Sequence, residues 1–261
     1  MKALLVDAHA HLDQYSDSEL PEVLQEIEET RTLTISTAMN PETYRRAQEL
    51  AGRCRYVIPT FGIHPWDAHE YAGRMTQFDA LIEESPMLGE IGLDYHFVQD
   101  VRRYGPQREV FGHFLAAARD QGKVVNLHTK GAEAEILDLL LRFEIERAIV
   151  HWYSGPLDLL LELSRLDCYF TIGVEVLRSE KIRQIASELP MDRILTETDN
   201  PGAWEWLTGE RGMPEMIDDV ISTLAEVRRT SEQEMERTVL ENFALLTRDD
   251  PWLEEMQTEL L

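Results

Sequence analysis

Residues 4–13 read Leu4-Leu5-Val6-Asp7-Ala8-His9-Ala10-His11-Leu12-Asp13. A short apolar run that closes on His-Ala-His reads as a first β-strand. Side chains two apart on a strand point to the same side, so His9 and His11 can grip one ion together. An open doubly wound sheet normally carries a Gly-rich phosphate turn at this place, which makes that architecture the second choice. The pattern repeats along the chain: apolar, β-branched runs near 3–8, 33–38, 56–62, 87–92, 123–128, 147–151, 168–173 and 193–198 read as strands. Between them lie amphipathic stretches such as PEVLQEIEETR, PETYRRAQELAGR, EAEILDLLLRF and EKIRQIASEL, with apolar residues three and four apart. Pro21, Pro41, Pro156 and Pro214 stand where helices would begin. Eight strands, each followed by a helix, is the count of an α/β fold of the (β/α)8 TIM-barrel type. No linker, low-complexity tract or short repeat divides residues 1–261, so a single domain is expected.

In such barrels chemistry gathers at the carboxyl ends of the strands. Glu90 in MLGEIGLDY, His128 in VVNLHTKGAE, His151 in AIVHWYSG and Asp199 in ILTETDNPG stand at the ends of runs 4, 5, 6 and 8, and His9 and His11 at the end of run 1. Four imidazoles and two carboxylates form a mixed N/O donor set suited to zinc, manganese or a similar divalent ion, with no thiolate required. Each residue alone has an ordinary reading: a satisfied core histidine, a core salt bridge, a turn-forming aspartate. Six at strand ends, converging on one mouth, make those readings a chain of coincidences.

The formal net charge is −24, from 25 Lys and Arg against 49 Asp and Glu. Sequence-blind binding of duplex nucleic acid calls for a basic patch, and none is visible. The acidic runs PEVLQEIEE and PWLEEMQTEL read as solvated helix faces. Cys54 and Cys168 stand far apart, which argues against a disulfide framework or thiolate site. No apolar run is long enough to cross a bilayer, and MKALLVDAHAH meets polar residues too early for a signal peptide, so a cytoplasmic location without membrane attachment is expected.

The series HAHLD, FGIHPW, GEIGLDY, LHTKGAE, HWYSG and LTETDNPG, then GMPEMIDDV and ENFALL, closely resembles the TatD family of the amidohydrolase superfamily. The resemblance runs from residue 5 to about residue 246 and implies a distorted TIM barrel and a metal-dependent deoxyribonuclease-type hydrolase. It implies that His9, His11, Glu90 and Asp199 hold one divalent ion, and Glu90, His128 and His151 a second, the ions being magnesium, manganese or zinc. Glu90 then bridges, where related barrel hydrolases often use a carbamylated lysine; no lysine lies near strand 4. Asp199 is the candidate general base and Glu90 the second catalytic carboxylate. Two ions can stabilise both the attacking and the leaving oxygen of a displacement at phosphorus.

The departures from the family pattern bear on substrate. Lys130 stands where many members have arginine, His151-Trp152-Tyr153-Ser154-Gly155 replaces His-Cys-Phe-Ser-Gly, and Arg211-Gly212-Met213-Pro214 replaces Arg-Asn-Glu-Pro. A lysine meets phosphate as a point charge without the bidentate fork. His64, Lys130 and Tyr153 are the expected substrate contacts, with Arg178 and Arg211 as further sources of local positive charge. A structural role for His64 also stays open, as do two readings of Glu197, an orienting partner or a core carboxylate. Asp94 and Tyr95 are read as fixing the loop after Glu90. Trp66, Trp152, Tyr153, Trp204 and Trp206 either roof the barrel or stack on unpaired bases. His69, His96 and His113 receive no role. The leading expectation is a phosphodiesterase on DNA, taking single-stranded or terminal nucleotides. The alternatives are an amidohydrolase or esterase on a small carbonyl substrate, and a non-catalytic metallated subunit.

Overall fold

The computed structural model describes residues 3–260, so Met1, Lys2 and Leu261 lie outside the described residues. Eight parallel strands follow one another: β1 Leu5–Ala10, β2 Thr32–Thr37, β3 Val57–Thr60, β4 Leu88–Gly92, β5 Val125–His128, β6 Ala148–Val150, β7 Cys168–Ile172 and β8 Ile194–Thr196. All eight expected runs are present, shifted by a residue or two. The strands form two arcs, β1-β2-β3 and β4-β5-β6-β7-β8.

The arcs are joined at both seams by specific contacts. Between β3 and β4, Phe61 bridges to Leu88, and the Thr60 hydroxyl donates to Gly89 O at 2.9 Å. Between β8 and β1, the Asp199 N–H donates to His9 O at 2.9 Å and the His11 N–H to Asn200 O at 2.8 Å. Buried Asp7 accepts from the N–H and hydroxyl of Thr198 at 2.8 and 2.6 Å. The result is a distorted TIM barrel, with register shifts in β1 between Asp7 and Ala10 and in β4 between Leu88 and Ile91.

Seven of the eight strands are buried at every position, as parallel strands covered on both faces must be. The covering helices are α1 (Leu20–Thr30), α2 (Pro41–Ala51), the short α3 (Ala68–Tyr71) and α4 (Asp79–Glu84), α5 (Tyr104–Gln121) and α6 (Glu133–Phe143). After them come α7 (Leu157–Ser164), α8 (Glu180–Glu188), α9 (Gly202–Thr208), α10 (Met216–Arg228), α11 (Glu232–Thr247) and α12 (Glu254–Leu260). Each long helix lays down an apolar stripe at three- and four-residue spacing, as with Val23, Leu24 and Ile27 of α1 or Val220, Ile221 and Leu224 of α10. Pro41 opens α2 behind an Asn40 cap whose side chain accepts from two backbone N–H groups at 3.0 Å.

Two glycines let β4 reach the barrel centre. A Cβ on Gly62 would lie 2.4 Å from the Glu90 backbone. Gly92, at φ +146°, would place one 2.0 Å from His128 O. By contrast Gly73 needs only its positive φ of +79°, with open space around it. Gly92→Ala is therefore expected to cost roughly 3 kcal/mol or more, and Gly73→Ala about 1 kcal/mol, in urea unfolding. Equal costs would show that the close approach at Gly92 is unimportant.

Burial pushes the Asp7 carboxyl up to about 7, against its Thr198 and His9 hydrogen bonds, which act to lower it. The folded chain then holds that proton where the unfolded chain, with an aspartate pKa near ~4, has released it. The Asp7 contribution to stability must fall as pH rises from about 4 to about 7. Between pH 5 and pH 8 the metal-free wild type should lose more in urea midpoint than Asp7→Asn. Parallel losses in the two proteins would exclude a buried neutral Asp7.

Candidate metal centre

Glu90 stands in the middle of β4, not at its end as the sequence suggested, because the polypeptide continues in strand geometry to Gly92. Its side chain is buried, and its two oxygens face two different groups of histidines. On one side, Oε2 lies 3.6 Å from His9 Nε2 and 3.3 Å from His11 Nε2. Asp199 Oδ1 lies 3.8 and 3.3 Å from the same nitrogens, which are themselves 3.4 Å apart. On the other side, Oε1 lies 2.8 Å from His128 Nδ1, 3.0 Å from His151 Nε2 and 3.2 Å from His64 Nε2. Ligand atoms placed about 2.0–2.2 Å from a tetrahedral ion are separated by roughly 3.3–3.6 Å. The first group, at 3.3–3.8 Å, is close to that spacing and the second, at 2.8–3.2 Å around Oε1, is drawn tighter; His9, His11 and Glu90, and His64, Glu90 and His128, are buried sets whose atoms could hold a metal ion.

The rings are held from behind. His9 Nδ1 lies 2.9 Å from Asn126 Oδ1, whose amide nitrogen donates to Ala8 O, so the ring N–H points away from the cluster. His11 Nδ1 donates to Thr37 O at 2.8 Å. His128 Nε2 donates to Asp94 Oδ2 at 2.9 Å, an oxygen that also accepts the Trp66 indole N–H at 2.7 Å. His151 Nδ1 lies 3.6 Å from Glu197 Oε2, and Glu197 is fixed by the Thr171 hydroxyl at 2.6 Å and the Trp152 N–H at 3.0 Å. A neutral ring held this way turns the lone pair of its remaining nitrogen to the cluster, which is how an oxygen behind a histidine prepares it for metal, as at His9, His11 and His128; among the described residues no hydrogen bond reaches His151 Nδ1.

The electrostatics fit the same group. Burial would raise Glu90, yet His64, His151 and the hydrogen bonds from His11 and His128 hold its carboxyl well below the usual range. Burial also opposes a charged imidazole, but Glu90 and Asp199 override it at His11 and raise it to about 9. Glu90 and Glu197 do the same at His151, raising it to about 10. Without a cation the cluster recruits protons, so it is built for added positive charge. Burial keeps His64 neutral, pushing it down to about 4, and pushes Asp199 upward.

The structure thus brings together His9, His11, Glu90, His128, His151 and Asp199, and adds His64 to them. Asp199 sits at φ +49°, and its side chain, 13% exposed, is the most open of the group around Glu90 Oε2. Lys130 stands beside the mouth, donating to Trp152 O and, at 3.2 Å, to Ser154 Oγ. Tyr153 does not join the site. Its ring packs on Phe170 and its hydroxyl donates to Pro156 O at 2.6 Å, because the turn after His151 sends it into the core. Arg211 is likewise committed to Glu19, Glu205 and Gln14 O, and Arg178 lies over the Trp204 ring. Asp94 orients the second group through His128, and Glu197 stands 3.6 Å behind His151. Asn126, which holds the His9 ring, is not marked by the motifs; its one sequence signal is an amide set inside the apolar run VVNLH. Among the described residues no helix is long and apolar enough to cross a membrane.

A TIM barrel with clustered, buried His and carboxylate donors at the carboxyl end of its strands is the architecture of a metal-dependent hydrolase. A sequence profile described as "TatD related DNase" matches residues 6–248, and the chain belongs to that family. The metal-dependent hydrolase YabD of Bacillus subtilis (strain 168) is 28% identical, with 94% of this chain and 99% of YabD covered. Deoxyribonuclease TATDN3 of Homo sapiens is 24% identical over 76% of this chain and 78% of its own length. Among solved structures, the TatD homologue YjjV of Escherichia coli K12 superposes with a TM-score of 0.83, covering 93% of this chain and 97% of that one at 24% identity.

Asp94 touches only the second group through His128. Asp94→Asn is expected to weaken one of two zinc equivalents about 10- to 100-fold in calorimetric titration and leave the other unchanged. Equal weakening of both would mean that the two groups are not separate sites.

Proposed function

We propose that the chain, acting as one domain over residues 1–261, is a metal-dependent phosphodiesterase that removes nucleotides from single-stranded or terminal DNA. The observation that carries this reading is one buried carboxylate, Glu90, that turns each of its oxygens to a separate group of nitrogen donors. Such a bridge suits a pair of ions, held by His9, His11, Glu90 and Asp199 on one side and Glu90, His128 and His151 on the other. Magnesium, manganese or zinc would supply Lewis acidity at the scissile group and acidify the attacking water. The name deoxyribonuclease borne by the human relative supports the choice of bond.

The chain's own groups supply the remaining steps. Asp199 directs Oδ1 to His11 and His9, which leaves its second oxygen to take the proton of the attacking water. Lys130 offers a point charge to a phosphate oxygen; burial pushes its ammonium below the ordinary range, and the charges of Glu197, Glu175 and Asp199 offset that only in part. With a net charge of −24, affinity comes from the centre and a few nucleotides, not from long-range attraction. The same acidic surroundings favour, as a second reading, a small neutral or cationic carbonyl substrate. A cytoplasmic location accords with either.

Metal-free protein reloaded with Mg²⁺, Mn²⁺ or Zn²⁺ should cleave 5′- and 3′-labelled single-stranded oligonucleotides, and Asp199→Asn should lower the rate about 10²- to 10⁴-fold. Intact DNA alongside hydrolysis of aminoacyl esters or N-acyl amino acids would replace this reading with the carbonyl one.

A further inference from the structure

His64 has the spacing of a fourth ligand to the second group, 3.2 Å from Glu90 Oε1 and 3.3 Å from His128 Nδ1. Its hydrogen bonding is the reverse of a ligand's. The other four rings have an oxygen behind them, provided by Asn126, Thr37, Asp94 or Glu197. Behind His64 stands a donor: the Trp66 backbone N–H points at Nδ1 at 3.3 Å. Pro65 has no N–H, so this is the first backbone donor after His64, and it folds back onto the ring. The backbone of His64 is pinned as well, its N–H donating to Met39 O at 2.9 Å and its O accepting from Asp67 at 3.0 Å.

A neutral imidazole carries one proton. With Nδ1 accepting from Trp66, that proton is on Nε2, aimed at Glu90 Oε1 and the space in front of His128. Binding an ion through Nε2 would move the proton to Nδ1, against the Trp66 N–H, and leave two buried donors facing each other. An unsatisfied buried donor costs about 1–3 kcal/mol. Hydrolytic metal sites commonly keep three protein ligands and an open fourth position, and Glu90, His128 and His151 already number three.

We infer that His64 is not a metal ligand but a preset N–H donor, directed by the Trp66 backbone at the substrate oxygen that enters the open position of the second group. This rests on the two-site reading proposed above and adds a residue with a distinct duty. In a phosphodiester that oxygen is a non-bridging oxygen of the scissile phosphate. The donor steadies it as charge builds in the transition state, without giving up its proton.

The test uses wild type, His64→Ala and His64→Gln, with zinc titrated into metal-free protein and inorganic phosphate titrated into the zinc-loaded protein. His64→Ala should bind both zinc equivalents within about threefold of wild type, bind phosphate at least fivefold more weakly, and lose about 10²-fold in kcat on the oligonucleotide. His64→Gln, which keeps an N–H donor and most of the volume, should recover part of both losses, and it carries the test if His64→Ala does not fold. A loss of tenfold or more in one zinc equivalent would overturn the inference and make His64 a ligand. Unchanged phosphate affinity with intact zinc binding would also overturn it. A wild type that binds zinc and phosphate as expected but leaves DNA uncut would defeat the nuclease reading alone.

Discussion

The buried carboxylate of Glu90 is the constraint on which the rest depends. A desolvated anion is tolerated only where compensating charge or donors surround it. Here both oxygens are faced by imidazole nitrogens from β1, β5 and the loops after β1, β3 and β6. To bring the group to that depth, the backbone of β4 must press against its neighbours, and Gly62 and Gly92 remove the side chains that would stand in the way. The strands on either side are therefore committed to leaving space, and the barrel is distorted at the place where its chemistry lies.

Around this core the chain sets the polarity of each histidine by what stands behind it. A carboxylate takes that role for His128, an amide for His9 and a backbone carbonyl for His11, while Glu197 stands 3.6 Å from His151 Nδ1. These partners cost little individually, yet they decide which ring nitrogen carries the proton and hence which ring can act as a ligand. Asp94 couples this layer to the rim, since one of its oxygens receives both His128 and the Trp66 indole. Trp66 in turn touches His64 through its own backbone N–H. Two neighbouring histidines are thus given opposite polarity by one short segment.

The acidic surface sets the scale of substrate recognition. Arg211, which the sequence offered as a source of positive charge, spends its guanidinium on Glu19, Glu205 and a backbone carbonyl. Lys130 sits among carboxylates beside the mouth. A protein with this balance of 25 basic against 49 acidic residues exerts little long-range attraction on a polyanion.

Much of this is legible in the amino-acid sequence. The apolar runs locate all eight strands, since β-branched runs bounded by turns carry their own periodicity. The strand-end rule selects His9, His11, His128, His151 and Asp199, because a barrel offers one end for chemistry. The helix EAEILDLLLRF coincides with α6, Glu133–Phe143, since its stripe is purely local. The tertiary fold alone decides how these residues meet. It turns Tyr153 into the core, neutralises Arg211, places Glu90 within its strand, and supplies Asn126 and Asp94 as orienting partners. The physical reason is range: periodicity and turn chemistry act over a few residues, whereas hydrogen-bond partners such as His9 and Asn126, 117 positions apart, exist only once the barrel closes.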